Sequence, residues 1–155
     1  MLIGSAFALM ILDLFVSERN KIVTHLFSVA ALAVVLFMLA TGVGGQGEVF
    51  HGMFVRDTAA DVMKTGIVLL SGLTLVYGWR YLRDRNLFQG EIPVLILFGT
   101  AGMMILVSAG SLLMVYLGLE LLALCSYALV ASNRDSGLAS EAAMKYIVLL
   151  SLIHI

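Results

Sequence analysis

The sequence predicts an all-α fold, a polytopic bundle of about six transmembrane helices. Hydrophobic residues make up 61% of the 155 residues and charged residues 12%, whereas soluble domains average about 45–50% and about 25%. Mean hydropathy is +1.06. Apolar runs that approach or reach the ~20 residues needed to cross a bilayer recur along the chain. Together these three observations exclude an ordinary soluble domain.

The first half of the chain contains three predicted spans. We expect them at about 2–16, which is short for a full crossing, at 22–41 and at 62–81. A glycine-rich connector, TGVGGQGEVFHGMFVRD, separates the second from the third and is expected to be a loop. The third span ends in a basic cluster, WRYLRDR.

Three more spans follow, at 92–107, at 111–131 and from 138 onward, and Pro93 stands where a helix can begin. The last apolar run reaches residue 155, and a terminal carboxylate inside a bilayer is costly. We therefore expect this chain to be a fragment of a longer protein, with native sequence over 1–149. Residues 150–155, LSLIHI, resemble a translated sequencing adapter and are expected to be non-native.

The distribution of basic residues predicts the orientation in the membrane. Connectors one, three and five carry six of them, whereas connector two carries Arg56, with Lys64 just inside the next span. The six are Arg19, Lys21, Arg80, Arg83, Arg85 and Arg134. Because basic connectors stay on the cytoplasmic side, the odd connectors should face the cytoplasm and the N-terminus the outside. A net charge of −1 gives no electrostatic basis for binding nucleic acid.

One carboxylate lies deep in an apolar run. Glu120 sits within LLMVYLGLELLALCSYALVA, and no other Asp, Glu, Lys or Arg occurs between Glu91 and Arg134. Burying an unpaired ionised carboxylate is costly, so intramembrane acids usually serve a function such as proton transfer. The alternative is a protonated glutamic acid that bonds across a helix interface. Tyr116 and Tyr127 fall on the face of Glu120, where their hydroxyls could bond to it, unless they simply anchor at the interfaces.

Lys145, in SEAAMKYIVLL, is the second candidate. Glu141 precedes it by four residues, the favourable orientation for an ion pair on a helix, which would make it a surface pair. Alternatively, it lies far enough into the apolar run to be a buried lysine that carries protons. The sequence pattern favours neither alternative.

Other polar residues carry weaker signals. Asp13 is expected to have an interfacial or packing role, and Lys64 to extend its amine towards the interface, with Asp61 as a possible partner. His25 and His51 lack a second metal ligand at helical spacing, and Cys125 is the single cysteine, so no internal disulfide can form. Close packing between helices is expected at three glycines, Gly99, Gly102 and Gly118.

The run from residue 91 to 149 resembles NADH-quinone oxidoreductase subunit N, an antiporter-like membrane subunit of respiratory complex I. LGLELLALCSYALVA followed by SEAAMKY is the specific part of the resemblance. The earlier spans agree more loosely, including LDLF in the first. The resemblance covers nearly the whole chain but not LSLIHI.

This resemblance implies a bundle truncated from a larger antiporter-like one, in a bacterial inner membrane. It implies a proton path that uses Glu120 and Lys145 as an intramembrane pair and is coupled to quinone reduction. No cofactor is expected in this chain, since NADH, FMN, iron–sulfur clusters and quinone would be bound by partner subunits. The other membrane subunits of complex I and the lipid bilayer are the implied partners. A cation/proton antiporter subunit and a non-transporting assembly subunit remain alternatives.

Overall fold

The computed structural model describes residues 2–15, 21–42, 47–49, 51–84, 90–133 and 137–153. Within them the chain forms six helices and one short hairpin, which confirms the predicted all-α class. The helices are α1 Leu2–Phe15, α2 Lys21–Ala40, α3 Thr58–Asp84, α4 Glu91–Val107, α5 Leu112–Val130 and α6 Gly137–Ile153. The strands are β1 Gly47–Val49 and β2 Phe54–Arg56. Of the basic residues used to predict orientation, Arg19, Arg85 and Arg134 lie outside the described residues, as does the end of the LSLIHI segment.

Among the described residues, three helices are long and apolar enough to cross a membrane by length and composition, over Ile22–Ala40, Thr58–Arg83 and Leu112–Val130. Shorter apolar stretches occupy α1 and α4. At a rise of ~1.5 Å per residue, the 17 residues of α4 extend ~26 Å, a little less than the hydrocarbon thickness.

Helix α3 begins four residues before the predicted span because a polar residue caps it. The backbone amide of Ala60 donates to Asp57 Oδ1 at 2.7 Å, which satisfies one of the amides left unpaired at a helix start. Ser111 caps α5 in the same way, accepting from the Met114 amide. A hydropathy profile assigns polar residues such as Asp57 to the connectors, so the span predicted for α3 is too short.

Glycines bring α4 and α5 into close contact, as the sequence predicts. A Cβ atom on Gly118 would lie 2.8 Å from Leu106 Cγ and 3.1 Å from the Gly102 carbonyl oxygen. A Cβ atom on Gly99 would meet Cys125 Cβ at 3.7 Å. Small residues at these positions let the two backbones approach, which is how helices associate where lipid supplies no hydrophobic driving force.

The glycine-rich connector contains an antiparallel hairpin, in which Val49 pairs with Phe54 and Gly47 with Arg56. It is fastened to the turn between α4 and α5: the Val55 amide donates to the Ser108 carbonyl at 2.9 Å, and the Gly110 amide to the Met53 carbonyl at 2.7 Å. The prediction of a loop was wrong here. Strands of three residues are too short to show an alternating pattern, and they pair with a distant segment.

Leu2, Lys64 and Phe54 line one cavity, and the hairpin bonds to the turn that precedes α5, so the starts of α1, α3 and α5 share one end of the bundle with the hairpin. We call this the hairpin end. The core lies among the first four helices, where Leu97 of α4 is fully buried. Ten buried residues form it: Leu2, Ala6, Leu9, Leu32, Val35, Val68, Leu75, Val94, Leu97 and Ala101.

Candidate functional site

Glu120 lies on the side of α5 that faces away from α4. Gly118 and Cys125 are the buried residues of this helix. Because each residue advances ~100° around a helix, Glu120 lies ~200° from Gly118, and Tyr127, seven residues later, stays on the Glu120 side. The Glu120 side chain is half-buried. The polar face predicted from helical spacing is therefore separate from the α4–α5 packing face.

Tyr127 connects this face to α6. Its ring meets that of Tyr146 edge to face, with centroids 5.3 Å apart and planes at 80°. Glu120 lies seven residues before Tyr127, two turns away on the same face of α5. Tyr116, at the other end of the face, is 56% exposed. The arrangement is a row of ionisable or hydroxyl-bearing groups that starts at Glu120 and crosses from α5 to α6.

Tyr146 was not among the residues that the sequence singled out. It follows Lys145 directly and lies three residues after Ala143, which is buried on α6. A period of three to four residues places Tyr146 on the buried side of the helix. That spacing was a usable signal, but without the position of α5 it could not identify Tyr127 as the partner.

Lys145 forms the ion pair that helical spacing predicts. Its Nζ atom donates to Glu141 Oε1 at 2.5 Å. The two side chains are 71% and 56% exposed in this chain. Lys145 lies two residues from Ala143, so it projects ~200° away from the buried side of α6.

The partner that the structure shows for Lys145 is Glu141. Glu120 lies on the face of α5 that carries Tyr127. The proton-carrying roles of both residues stay predictions.

Lys64 differs from expectation in two ways. It is only 4% exposed, so the prediction that it extends to the interface was wrong. Asp61 pairs instead with Arg56, whose Nε atom lies 3.0 Å and 3.1 Å from the two carboxylate oxygens. The ammonium of Lys64 lies 5.1 Å from the centre of the Phe54 ring. The hairpin covers this part of α3. A hydropathy profile cannot show which side chains a distant segment buries.

Asp13 has a packing role at the opposite end of the bundle. Its Oδ1 atom accepts a hydrogen bond of 2.8 Å from the Thr24 hydroxyl, which joins α1 to α2. It also lines an apolar cavity of about 540 Å³ with Glu91 and Phe98. His25 stacks against Trp79 at 4.4 Å. Within the described ranges, three or more His, Cys, Asp or Glu side chains nowhere come together as a possible metal site.

Comparison with known proteins gives matches along almost the whole chain. A family model described as NADH:quinone oxidoreductase/Mrp antiporter, TM, matches residues 109–153, from the α4–α5 turn through α6. NADH-quinone oxidoreductase subunit N of Xanthomonas euvesicatoria pv. vesicatoria is 82% identical over 151 residues, covering 97% of this chain and 31% of the relative. The subunit N of Halorhodospira halophila is 45% identical over 152 residues, with the same coverage.

A solved structure is similar to this chain in fold as well. A chain of respiratory complex I from Thermus thermophilus with bound aureothin superposes with a TM-score of 0.75 at 25% identity, covering 97% of this chain and 32% of that one. The chain thus spans about 31% of the length of the curated relatives that it matches. On sequence and fold together, it belongs to the NADH-quinone oxidoreductase subunit N family.

Proposed function

We propose that this chain contributes a proton path to the membrane part of a proton-pumping NADH:quinone oxidoreductase, with Glu120 and Lys145 as proton-carrying groups. The observation that carries this proposal is the lone carboxylate on the face of α5 opposite its packing face, aligned with Tyr127 and Tyr146. The names of its relatives supply the reaction to which the path would be coupled.

The chemistry of the Glu120 face suits proton transfer. A carboxylate in apolar surroundings is stabilised either by binding a proton or by a nearby hydrogen-bond donor. It therefore gains or loses a proton when its surroundings change. A tyrosine hydroxyl both donates and accepts hydrogen bonds. Glu120, Tyr127 and Tyr146 can therefore pass a proton from α5 to α6 when water bridges the gaps between them.

Lys145 and Glu141 form the second station of the proposed path. A proton that moves from the ammonium to the carboxylate neutralises both groups, so the pair can change state without leaving a net charge in lipid. Lys145 directly precedes Tyr146 and lies ~100° from it around α6, so we propose that the pair is the next station beside Tyr146.

The rest of the proposed reaction belongs to partners. Other membrane subunits of the complex would adjoin this chain in a bacterial inner membrane, with the odd connectors on the cytoplasmic side. Quinone reduction by partner subunits, which would hold NADH, FMN and iron–sulfur clusters, would supply the energy.

The test is Glu120→Gln in the full-length protein, within the assembled complex in sealed vesicles. Gln keeps the shape and cannot carry the proton, so we expect proton pumping to fall while uncoupled NADH:quinone activity persists. Glu48→Gln is the matched control, because Glu48 is an exposed residue of the hairpin. Normal pumping by Glu120→Gln in assembled complex would refute the proposal and favour a non-transporting assembly subunit.

A cation/proton antiporter subunit is the second candidate, because the description of the matching family model names both classes. Sodium-dependent proton transport without a quinone oxidoreductase partner would select it. The same carboxylate would serve either reaction, so Glu120→Gln does not separate them, whereas sodium dependence does.

A further inference from the structure

Lys64 is a buried cation that the proposed path leaves unused. We propose that it is a further proton-carrying site, which releases a proton into the cavity beneath the hairpin. This inference rests on the proposed proton path, of which it would be the station nearest the hairpin end.

The burial of Lys64 calls for a physical reason. Its side chain lies six residues after the start of α3, ~9 Å along the helix axis, and is 4% exposed. Among the described residues, the direct contact shown for the ammonium is with the face of Phe54. A cation–π contact compensates only part of the hydration that a buried ammonium loses. Sites of this kind in membranes are usually functional.

The charges around Lys64 nearly balance. Asp57, Asp61 and Arg56 are the charged groups that act on it. Asp57 caps α3 through the Ala60 amide, and both oxygens of Asp61 contact Arg56. The local sum is zero with a charged Lys64 and −1 with a neutral one, so neither state leaves a large uncompensated charge.

A cavity of about 220 Å³ adjoins the amine. Apart from Lys64 its lining comes from the start of α1, the hairpin and the end of α4: Leu2, Ile3, Phe54, Ala101, Met104 and Ile105. None of these side chains titrates, so among the described lining residues Lys64 is the group that can exchange a proton. The volume exceeds the ~30 Å³ that a water molecule occupies in the liquid. In the proposed step, an Nζ–H bond breaks, the proton passes to a water oxygen in the cavity, and the neutral amine is later reprotonated.

The depth of Lys64 fits a terminal station. Glu120 lies eight residues after the start of α5, ~12 Å along its axis. Both helices start at the hairpin end, and Lys64 lies fewer residues into α3 than Glu120 lies into α5. Lys64 is therefore placed as the station nearer the hairpin end.

The test compares Lys64→Arg with Lys64→Met in the full-length protein, within the assembled complex in vesicles. Arginine keeps a cation over Phe54 but does not release its proton. If Lys64 carries protons, both variants lower the protons pumped per NADH oxidised by about twofold or more. If its charge only holds the hairpin through Phe54, Lys64→Arg pumps normally, which overturns the inference.

Controls separate this inference from the proposed function. Glu48→Gln changes an exposed hairpin residue that does not line this cavity, so pumping should persist. Glu120→Gln is measured in parallel: lost pumping there with normal pumping in both Lys64 variants refutes the role of Lys64 alone. Normal pumping by Glu120→Gln refutes the proposed function itself. Failure of both Lys64 variants to assemble, measured by the amount of complex, indicates a structural role and also overturns the inference.

Discussion

Tyr127 and Tyr146 meet edge to face across the α5–α6 interface, with ring centroids 5.3 Å apart. Tyr127 also lies on the face of α5 that carries Glu120, two turns further along the helix. One aromatic contact thus holds α6 against α5 and extends the polar face of α5 to the next helix. The ring packs while the hydroxyl can transfer protons, so the two contributions can be separated by mutation.

Removing the Tyr127 hydroxyl should impair pumping without loosening the helices. Tyr127→Phe keeps the edge-to-face contact, worth about 0.5–1.5 kcal/mol beyond its buried area, but breaks the proposed relay. We expect normal amounts of complex and a lower ratio of protons pumped to NADH oxidised. Tyr116→Phe is the control, since Tyr116 is 56% exposed and makes no described contact with Tyr146. Equal pumping by the two variants would exclude a relay through Tyr127.

Neutralising Lys145 should distinguish a proton station from a surface ion pair. Lys145→Met keeps a side chain of similar length and removes the charge, so we expect the complex to assemble in normal amounts. We expect proton pumping in vesicles to fall all the same. Glu141→Gln should lower it as well, because the proposed proton exchange needs both groups. Unchanged pumping in both variants would mean that the pair is a surface ion pair with no role in proton transfer.

A larger side chain at Gly118 should separate α4 from α5. A Cβ atom there would lie 2.8 Å from Leu106 Cγ and 3.1 Å from the backbone of Gly102, so Gly118→Val forces one helix to move. Overpacking of this kind costs about 1–3 kcal/mol, and a lower thermal transition of the detergent-purified complex would report it. Gly72→Ala is the control, because a Cβ atom at Gly72 meets nothing within 4 Å. If Gly118→Val and Gly72→Ala have the same thermal transition, α4 and α5 are not tightly packed at Gly118.

The hydrogen bond from Thr24 to Asp13 should stabilise the α1–α2 pair. Thr24 is 2% exposed, and hydrogen bonds to charged groups contribute about 1.5–3 kcal/mol. Thr24→Val keeps the shape and removes the donor, so the thermal transition should fall. Thr24→Ser restores a hydroxyl and should recover most of the loss. A Thr24→Val variant as stable as the parent would show that water replaces the donor at no cost.

Much of this protein follows from local sequence. Each of the six helices occupies a predicted apolar run, because hydropathy and helical length are properties of continuous segments. The common face of Glu120, Tyr116 and Tyr127 follows from helical spacing, as does the Glu141–Lys145 pair. The close approach at Gly102 and Gly118 follows from the absence of side chains. Capping by Asp57 sets the start of α3, which hydropathy alone misplaces.

The tertiary structure decided which distant groups meet. The hairpin pairs with the α4–α5 turn, Arg56 instead of Lys64 takes Asp61, and Lys64 is buried beneath Phe54. Tyr127 contacts Tyr146, whereas Lys145, ~100° away around α6, pairs with Glu141. A helical period fixes which residues share a face but not what that face meets, since partners depend on how segments far apart in sequence pack together.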